Sequence, residues 1–322
     1  MKISGVTLTG GIKLNTSAAP APGPTPGPTL SNGYASGSIP AITITYIQKF
    51  PFASDDNSTI IGDLVYGIDQ AVGNSSATSG YTAGGDPSPT GPGRLGTIQK
   101  FPFATDNDAT NVGNLATTTY GSAGMSSEND GYLAGGNITG PGPGRISQIQ
   151  KYSFANESST STLPANLITG STSDAIGNSS SEDGYVSGGY AVSSPIDNIT
   201  KFSFASFAGI TAVGDLTQVR TVAGSQNSST HGYVTGGWLW PGSSDVIDKF
   251  SFSSNGNATD VGDLAFGTNG NSGQSSIDNG YSSGGYNAAA KAIQKFSFAT
   301  DGNASSSAEL TENASSSTGQ QG

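Results

Sequence analysis

Large apolar side chains along this chain come in short clusters, never in long runs. Each cluster is rich in Ile, Tyr, Phe, Val and Thr, as in Tyr46-Ile47-Gln48-Lys49-Phe50-Pro51-Phe52, and these are residues that suit a pleated, half-buried strand. Between clusters lie stretches of Gly, Ser, Asn, Asp and Pro, which punctuate strands with turns. No window sustains an apolar period of 3.6 residues, so the pattern predicts many short strands and few helices. The length of 322 residues would by itself suggest about two domains, but the clusters recur at a fixed distance, and a fixed period overrides length.

The recurring element is Lys-aromatic-Ser/Pro-Phe. It begins at Lys49, Lys100, Lys151, Lys201, Lys249 and Lys295, with spacings of 51, 51, 50, 48 and 46 residues. A second element, Gly-Tyr-x-x-Gly-Gly, precedes the last five copies, with its Tyr at Tyr81, Tyr132, Tyr185, Tyr233 and Tyr281. The first copy has Gly33-Tyr34-Ala35-Ser36-Gly37-Ser38, with Ser for the final Gly. A third follows each Lys-Phe element: Gly62-Asp63-Leu64, Gly113-Asn114-Leu115, Ala165-Asn166-Leu167, Gly214-Asp215-Leu216, Gly262-Asp263-Leu264 and Ala308-Glu309-Leu310. Six units of short strands, each too small to bury a core alone, predict an all-β, six-bladed propeller over 33–322 with four strands per blade. The tail after Leu310 is composed like the stretch that precedes Gly-Tyr elsewhere. It is therefore expected to give the first blade its missing strand, which closes the ring and leaves no exposed sheet edge.

The diglycine after an aromatic strand, followed about ten residues later by a second aromatic strand, resembles the kelch repeat. Arg220 falls where the kelch pattern has an Arg after the Leu strand, whereas the kelch Trp is missing and the other five copies lack that Arg. The resemblance implies a kelch-like β-propeller and no particular activity. The chain before residue 33 differs in kind. Residues 18–32 include the Pro-rich Ala18-to-Pro28 stretch, expected to be an extended linker. Residues 1–17 form a short β-like segment, expected to anchor the chain through Lys2, Ile3, Val6, Leu8, Ile12 and Leu14.

Composition narrows the chemistry. There is no Cys, so disulfides, thiolate metal sites and cysteine catalysis are excluded. Twelve Lys plus Arg in no cluster, within a net charge of −11, argue against a nucleic-acid partner. No apolar run approaches the roughly 20 residues of a membrane span, and the N-terminus lacks the apolar core of a secretory signal. The single His231 stands in a Ser/Thr-rich stretch and is expected to be an exposed turn residue and not a base. Asp55-Asp56, Asp106/Asp108 and Glu182-Asp183 lack a calcium-loop spacing and are expected to be solvated turns. No catalytic residue, cofactor or metal is expected.

The six repeated Lys are expected to contact the residue of the Gly-Asp-Leu element in their own blade: Asp63, Asn114, Asn166, Asp215, Asp263 and Glu309. Departures from the repeat are the better candidates for a site. The turns between Gly-Gly and Lys-Phe carry Pro87 to Arg94 in the second copy, Gly140 to Arg145 in the third and Trp238-Leu239-Trp240-Pro241 in the fifth. Arg94, Arg145, Trp238 and Trp240 are expected to line a partner-binding rim on one face, since stiffened loops with Trp and Arg suit recognition.

Near-identical repeats such as Phe250 to Leu264, in a Gly/Ser/Asn-rich acidic chain, resemble the kelch-like virion proteins of tailed bacteriophages, marine ones especially. The resemblance implies a non-enzymatic structural or adhesive component of a virion, in a fibre, a tail or baseplate appendage, or a capsid decoration. Such a protein would dock to other virion proteins by residues 1–17 and display a propeller to a host-surface glycan or protein, with homo-oligomerisation left open. Two other readings remain at this point: a glycan hydrolase or lyase on the same particle, which needs carboxylates at one mouth of the channel, and an intracellular kelch-type adaptor.

Overall fold

The computed structural model describes residues 30–38, 44–87, 95–138, 144–158, 160–191, 193–207 and 209–322. The anchoring residues Lys2 to Leu14, most of the linker and Arg94 lie outside them. Among the described residues the chain is all-β and propeller-like, with a single 3-10 turn at Asn287–Ala289. No helix there is long and apolar enough to cross a membrane.

Six four-stranded antiparallel sheets are present among the described residues. Each has an innermost strand, the Gly-Tyr strand, the Lys-Phe strand and an outer strand ending in the Gly-Asp-Leu element. In the second copy these are Val72–Ser75, Ser79–Ala83, Thr97–Pro102 and Thr110–Asn114. The other innermost strands are Ala123–Ser126, Ile176–Ser179, Gly224–Asn227, Ser272–Ser275 and Thr318–Gln321. The last of these comes from the C-terminus and pairs with the first Gly-Tyr strand, Gly33 opposite Gln321 and Ser36 opposite Thr318. In five of the sheets one residue is bulged in the outer strand, as where Ile47 faces Gly62 but Gln48 faces Ile60, and in the third copy the shift is two residues, between Gln148 and Gln150.

The Gly of Gly-Tyr is explained by its cross-strand partner. A Cβ on Gly80 would sit 2.3 Å from the Phe101 ring, so glycine is what lets the first aromatic of the next strand lie flat over the sheet. The Gly-Gly pair serves the turn that follows. Gly84 and Gly85 both have positive φ, 68° and 98°, a region that side chains disfavour.

Aromatic rings join one sheet to the next. Each Tyr of a Gly-Tyr strand stacks on the second Phe of the following copy: Tyr34 on Phe103, Tyr81 on Phe154, Tyr132 on Phe204, Tyr185 on Phe252, Tyr233 on Phe298 and Tyr281 on Phe52, with centroids 4.7 to 4.9 Å apart. The cores are therefore seams shared by two copies, such as the cluster of Tyr34, Ile47, Leu64, Phe101 and Ala109. Burial pushes the Tyr34, Tyr132 and Tyr185 hydroxyls up to about 12, so these phenols stay neutral and act as packing groups.

Candidate recognition face

The turn that enters each innermost strand contains one residue with left-handed backbone: Gln70, Gly121, Asp174, Val222, Gly270 and Ser316. Each of their N–H groups donates to the carbonyl of the equivalent residue in a neighbouring copy: Gly121 to Gln70, Asp174 to Gly121, Val222 to Asp174, Gly270 to Val222, Ser316 to Gly270 and Gln70 to Ser316, at 2.7 to 3.2 Å. These turns line an opening of about 110 Å³.

The variable loops border the same opening. In four copies the residue before the left-handed position pairs with a first loop residue: Asp69 with Asp86, Tyr120 with Asn137, Ser173 with Tyr190 and Thr221 with Trp238. In one further copy Tyr286 N–H donates to the Asn269 carbonyl. Of the three loops expected to share one face, residues 88–94 and 139–143 lie outside the described residues, and the loop of the fifth copy borders the opening through Trp238. Exposed large apolar side chains gather there too. Val65, Tyr66, Ile168, Val219 and Phe266 are exposed in the turns after the Leu of the third element, and Trp240 is 85% exposed in its loop. Ile277, 69% exposed, stands instead at the opposite end, in the turn between its innermost strand and the Gly-Tyr strand.

The expected rim residues meet different fates. Trp240 stands out of a short hairpin in which Trp238 pairs with Ser243. Trp238 is half-buried and meets the Trp240 ring edge-on, at 6.4 Å and 73°. Arg145 is half-buried: its guanidinium lies 4.4 Å from the centre of the Tyr190 ring, and its Nε donates to Ser173 Oγ at 3.0 Å. Ser173 Oγ in turn donates to Asp174 Oδ2 at 2.8 Å. Arg145 thus ties the third loop to the fourth copy, with its charge engaged internally. Sequence reasoning missed the acids of this face. Burial pushes the Asp174 carboxyl up, against the pull of Ser173 and Arg145. Burial and the neighbouring Asp86 raise Asp69 to about 6. Their place in an otherwise unremarkable turn gave no signal.

The opposite end is built from side chains. The last residue of each innermost strand accepts a backbone N–H from its neighbour: Ser75 donates to Ser126, Ser126 to Ser179, Ser179 to Asn227, Asn227 to Ser275, Ser275 to Gln321 and Gln321 to Ser75. These bonds surround a cavity of about 540 Å³ that all six innermost strands line, and Leu30 and Gly322 line it as well. Ser31 and Asn32 N–H both donate to the Gly322 carbonyl, at 2.6 and 2.8 Å. The described fold therefore begins, at Leu30, at this end, away from the variable loops.

The lysine expectation needs correction. No repeated Lys pairs with the Gly-Asp-Leu residue of its own copy. Lys49 pairs with Asp106, Lys100 with Glu157, Lys249 with Asp301 and Lys295 with Asp55, at 2.6 to 3.0 Å. Each of these acids stands three residues after the second Phe of the following copy, so the pair stitches two sheets. The fourth copy has Phe207 there, whose ring receives Lys151 at 5.2 Å while Lys151 pairs with Asp130. The fifth has Asn255, and Lys201 turns to Asp183 at 3.5 Å. The Gly-Asp-Leu residue instead has its backbone N–H capped by that same following turn, as Asp63 is by Asp108 and Asp263 by Asn303.

Arg220 is fully buried against an equally buried Asp248, the Asp standing where four other copies have Gln48, Gln99, Gln150 and Gln294. His231 is half-buried, with Nδ1 2.8 Å from Thr230 Oγ1. Burial and Lys249 lower its pKa. Among the described residues no three His, Cys, Asp or Glu side chains gather as a metal site. In comparisons with known proteins, no family model and no curated protein matches this chain.

Proposed function

We propose that the chain is a six-bladed, kelch-like β-propeller that serves as a non-enzymatic structural and adhesive component of a tailed-phage virion. Support for a closed ring comes from the two hydrogen-bond series, each of which returns to its starting residue, and from the strand pairing between the two chain ends. The observation that carries the functional reading is polarity. The first described residues, Leu30 to Asn32, lie at the end with the larger cavity, whereas the variable loops and the exposed Trp240 occupy the other. A head held by one end and presenting irregular aromatic loops at the other suits docking to other virion proteins through residues 1–17 and contact with a host-surface glycan or protein.

The test has two arms. Removing residues 1–28 should leave a folded propeller that no longer joins particles; assembly of the truncated chain overturns the anchor. On an array of bacterial surface glycans, read for binding and for released product, the intact protein should bind without cleaving, and Trp240→Ala should lose binding. The raised Asp69 beside Asp86 favours a second reading, a propeller glycan hydrolase or lyase, because a carboxyl that holds its proton can act as a general acid. Product on the array would establish that reading and overturn the first.

A further inference from the structure

Asn255 occupies the position at which four other copies place the acid that pairs with a lysine of the preceding sheet: Asp55, Asp106, Glu157 and Asp301. The lysine that faces it, Lys201, is left with Asp183 at 3.5 Å, the longest pair in the lysine series. Asn255 is followed by Gly256, and both residues are exposed in an irregular turn. Gly256 N–H donates to no acceptor among the described residues, and an added Cβ at Gly256 would meet nothing within 4 Å. The other three Asn-Gly pairs are held differently. Asn32-Gly33 and Asn279-Gly280 lie within ladders, and Gly270 N–H donates to the Val222 carbonyl.

We propose that Asn255 is a self-modification site, converted by deamidation into the acid that four other copies carry at this position, which would give Lys201 a partner across the seam beside Asp183. The backbone nitrogen of Gly256 attacks Cγ of Asn255. The N–Cγ bond forms as the Cγ–Nδ2 bond breaks, and the amide proton leaves with the departing nitrogen as ammonia. The cyclic imide then takes up one water, which opens either carbonyl to give aspartate or isoaspartate. The sum consumes water, releases ammonia and needs no oxidant or enzyme. A free, unhindered backbone nitrogen is what the first step demands, and a β-ladder or a committed N–H withholds it. The product carboxylate stands where the neighbouring copies form charge-assisted bonds across the sheet seam.

Peptide mapping of the intact chain after incubation at mildly alkaline pH tests the chemistry, with aspartate and isoaspartate resolved by mass spectrometry. The expected result is early loss of the amide at Asn255 while Asn279 keeps its own, and much slower loss in Gly256→Ala, a change for which the turn has room. Equal persistence of the two amides, or unchanged loss in Gly256→Ala, overturns the site. The lysine half is tested separately. Asn255→Asp should raise the melting temperature, and that rise should vanish in a Lys201→Met background. A rise that survives without Lys201, or no rise at all, overturns the pairing.

Discussion

Tyr281 stacks on Phe52 with ring centroids 4.7 Å apart and 21° between planes, and its hydroxyl reaches the Phe52 carbonyl across 229 residues of chain. The ring stack, though not in every case the hydroxyl bond, joins the other five pairs of successive copies, so the seam between the last copy and the first is built like the rest. Phe52→Ala should therefore cost about 3–5 kcal/mol, the usual range for emptying a buried phenylalanine site. Phe52→Leu keeps most of the volume and loses the ring contact, so its cost should be smaller, with about 1 kcal/mol from the lost stack. Urea unfolding of the two variants checks both values. A Phe52→Ala protein as stable as the parent would mean that this seam holds nothing together.

Val222 carries the left-handed backbone at φ 53°, in a position that glycine fills in two other copies. A β-branched residue is strained in that region, and the penalty for a side chain there is roughly 1–2 kcal/mol. Its N–H and carbonyl are both used, toward Asp174 and Gly270, which is what holds the backbone in place. Val222→Asn or Val222→Gly should keep both bonds and raise stability by about 1 kcal/mol, read as a higher melting temperature. A lower one would show that the Val222 side chain contributes more packing than its backbone costs.

The motif spacing made the strand-rich repeat legible, because Tyr81 stands between Gly80 and the Gly84-Gly85 pair, Phe101 and Phe103 alternate along the strand that follows, and equivalents of these residues recur through the chain. The stretch before Gly-Tyr was legible as a strand from its likeness to the tail, but what holds Val72-Gly73-Asn74-Ser75 and its counterparts was not, since the two bond series that organise them depend on backbone groups and on small polar side chains common throughout the chain. The lysine partners were sought within one copy, although the contacts cross between copies. A signal was present: Asp130 and Asp183 precede the Gly-Tyr dipeptide only in the two copies whose following turn lacks an acid, having Phe207 and Asn255 instead. Of the rim residues, Arg145 shows what loop position does not reveal: its guanidinium also lies against Tyr190 and donates to Ser173 in the next copy.

Arg220 and Asp248 are both fully buried, 2.8 Å apart. Arg220 also donates to the Gly236 and Val246 carbonyls, and Asp248 accepts from Thr217 through both hydroxyl and backbone N–H. Removing one partner strands the other charge, so Arg220→Met should cost about 3–5 kcal/mol. The remaining copies point to a rescue. Gln99 and Gln150, which stand at the Asp248 position, accept the backbone N–H of Tyr66 and Thr117 without any arginine. The double variant Arg220→Met/Asp248→Gln should recover most of the loss, and a double-variant cycle by urea unfolding measures the coupling. Additive costs would show that the pair is not a unit.

Asp69 gives the loop-bearing end a pH dependence with a definite sign. Its carboxyl is raised from 3.8 to about 6, by burial first and by Asp86 second, against the pull of its own backbone N–H. The folded chain then holds the proton more tightly than the unfolded chain does. Stability from this site is therefore lost as pH climbs from about 4 through about 6 and does not change further above that. Asp69→Asn carries no titrating proton, so it should be more stable than the parent near neutral pH, and the difference should vanish near pH 4, the ordinary range of an aspartate. Unfolding both proteins in urea across that interval reads the difference directly. A gap between them that stays constant with pH would mean that the Asp69 carboxyl titrates normally, and would remove the support it lends to acid chemistry at this opening.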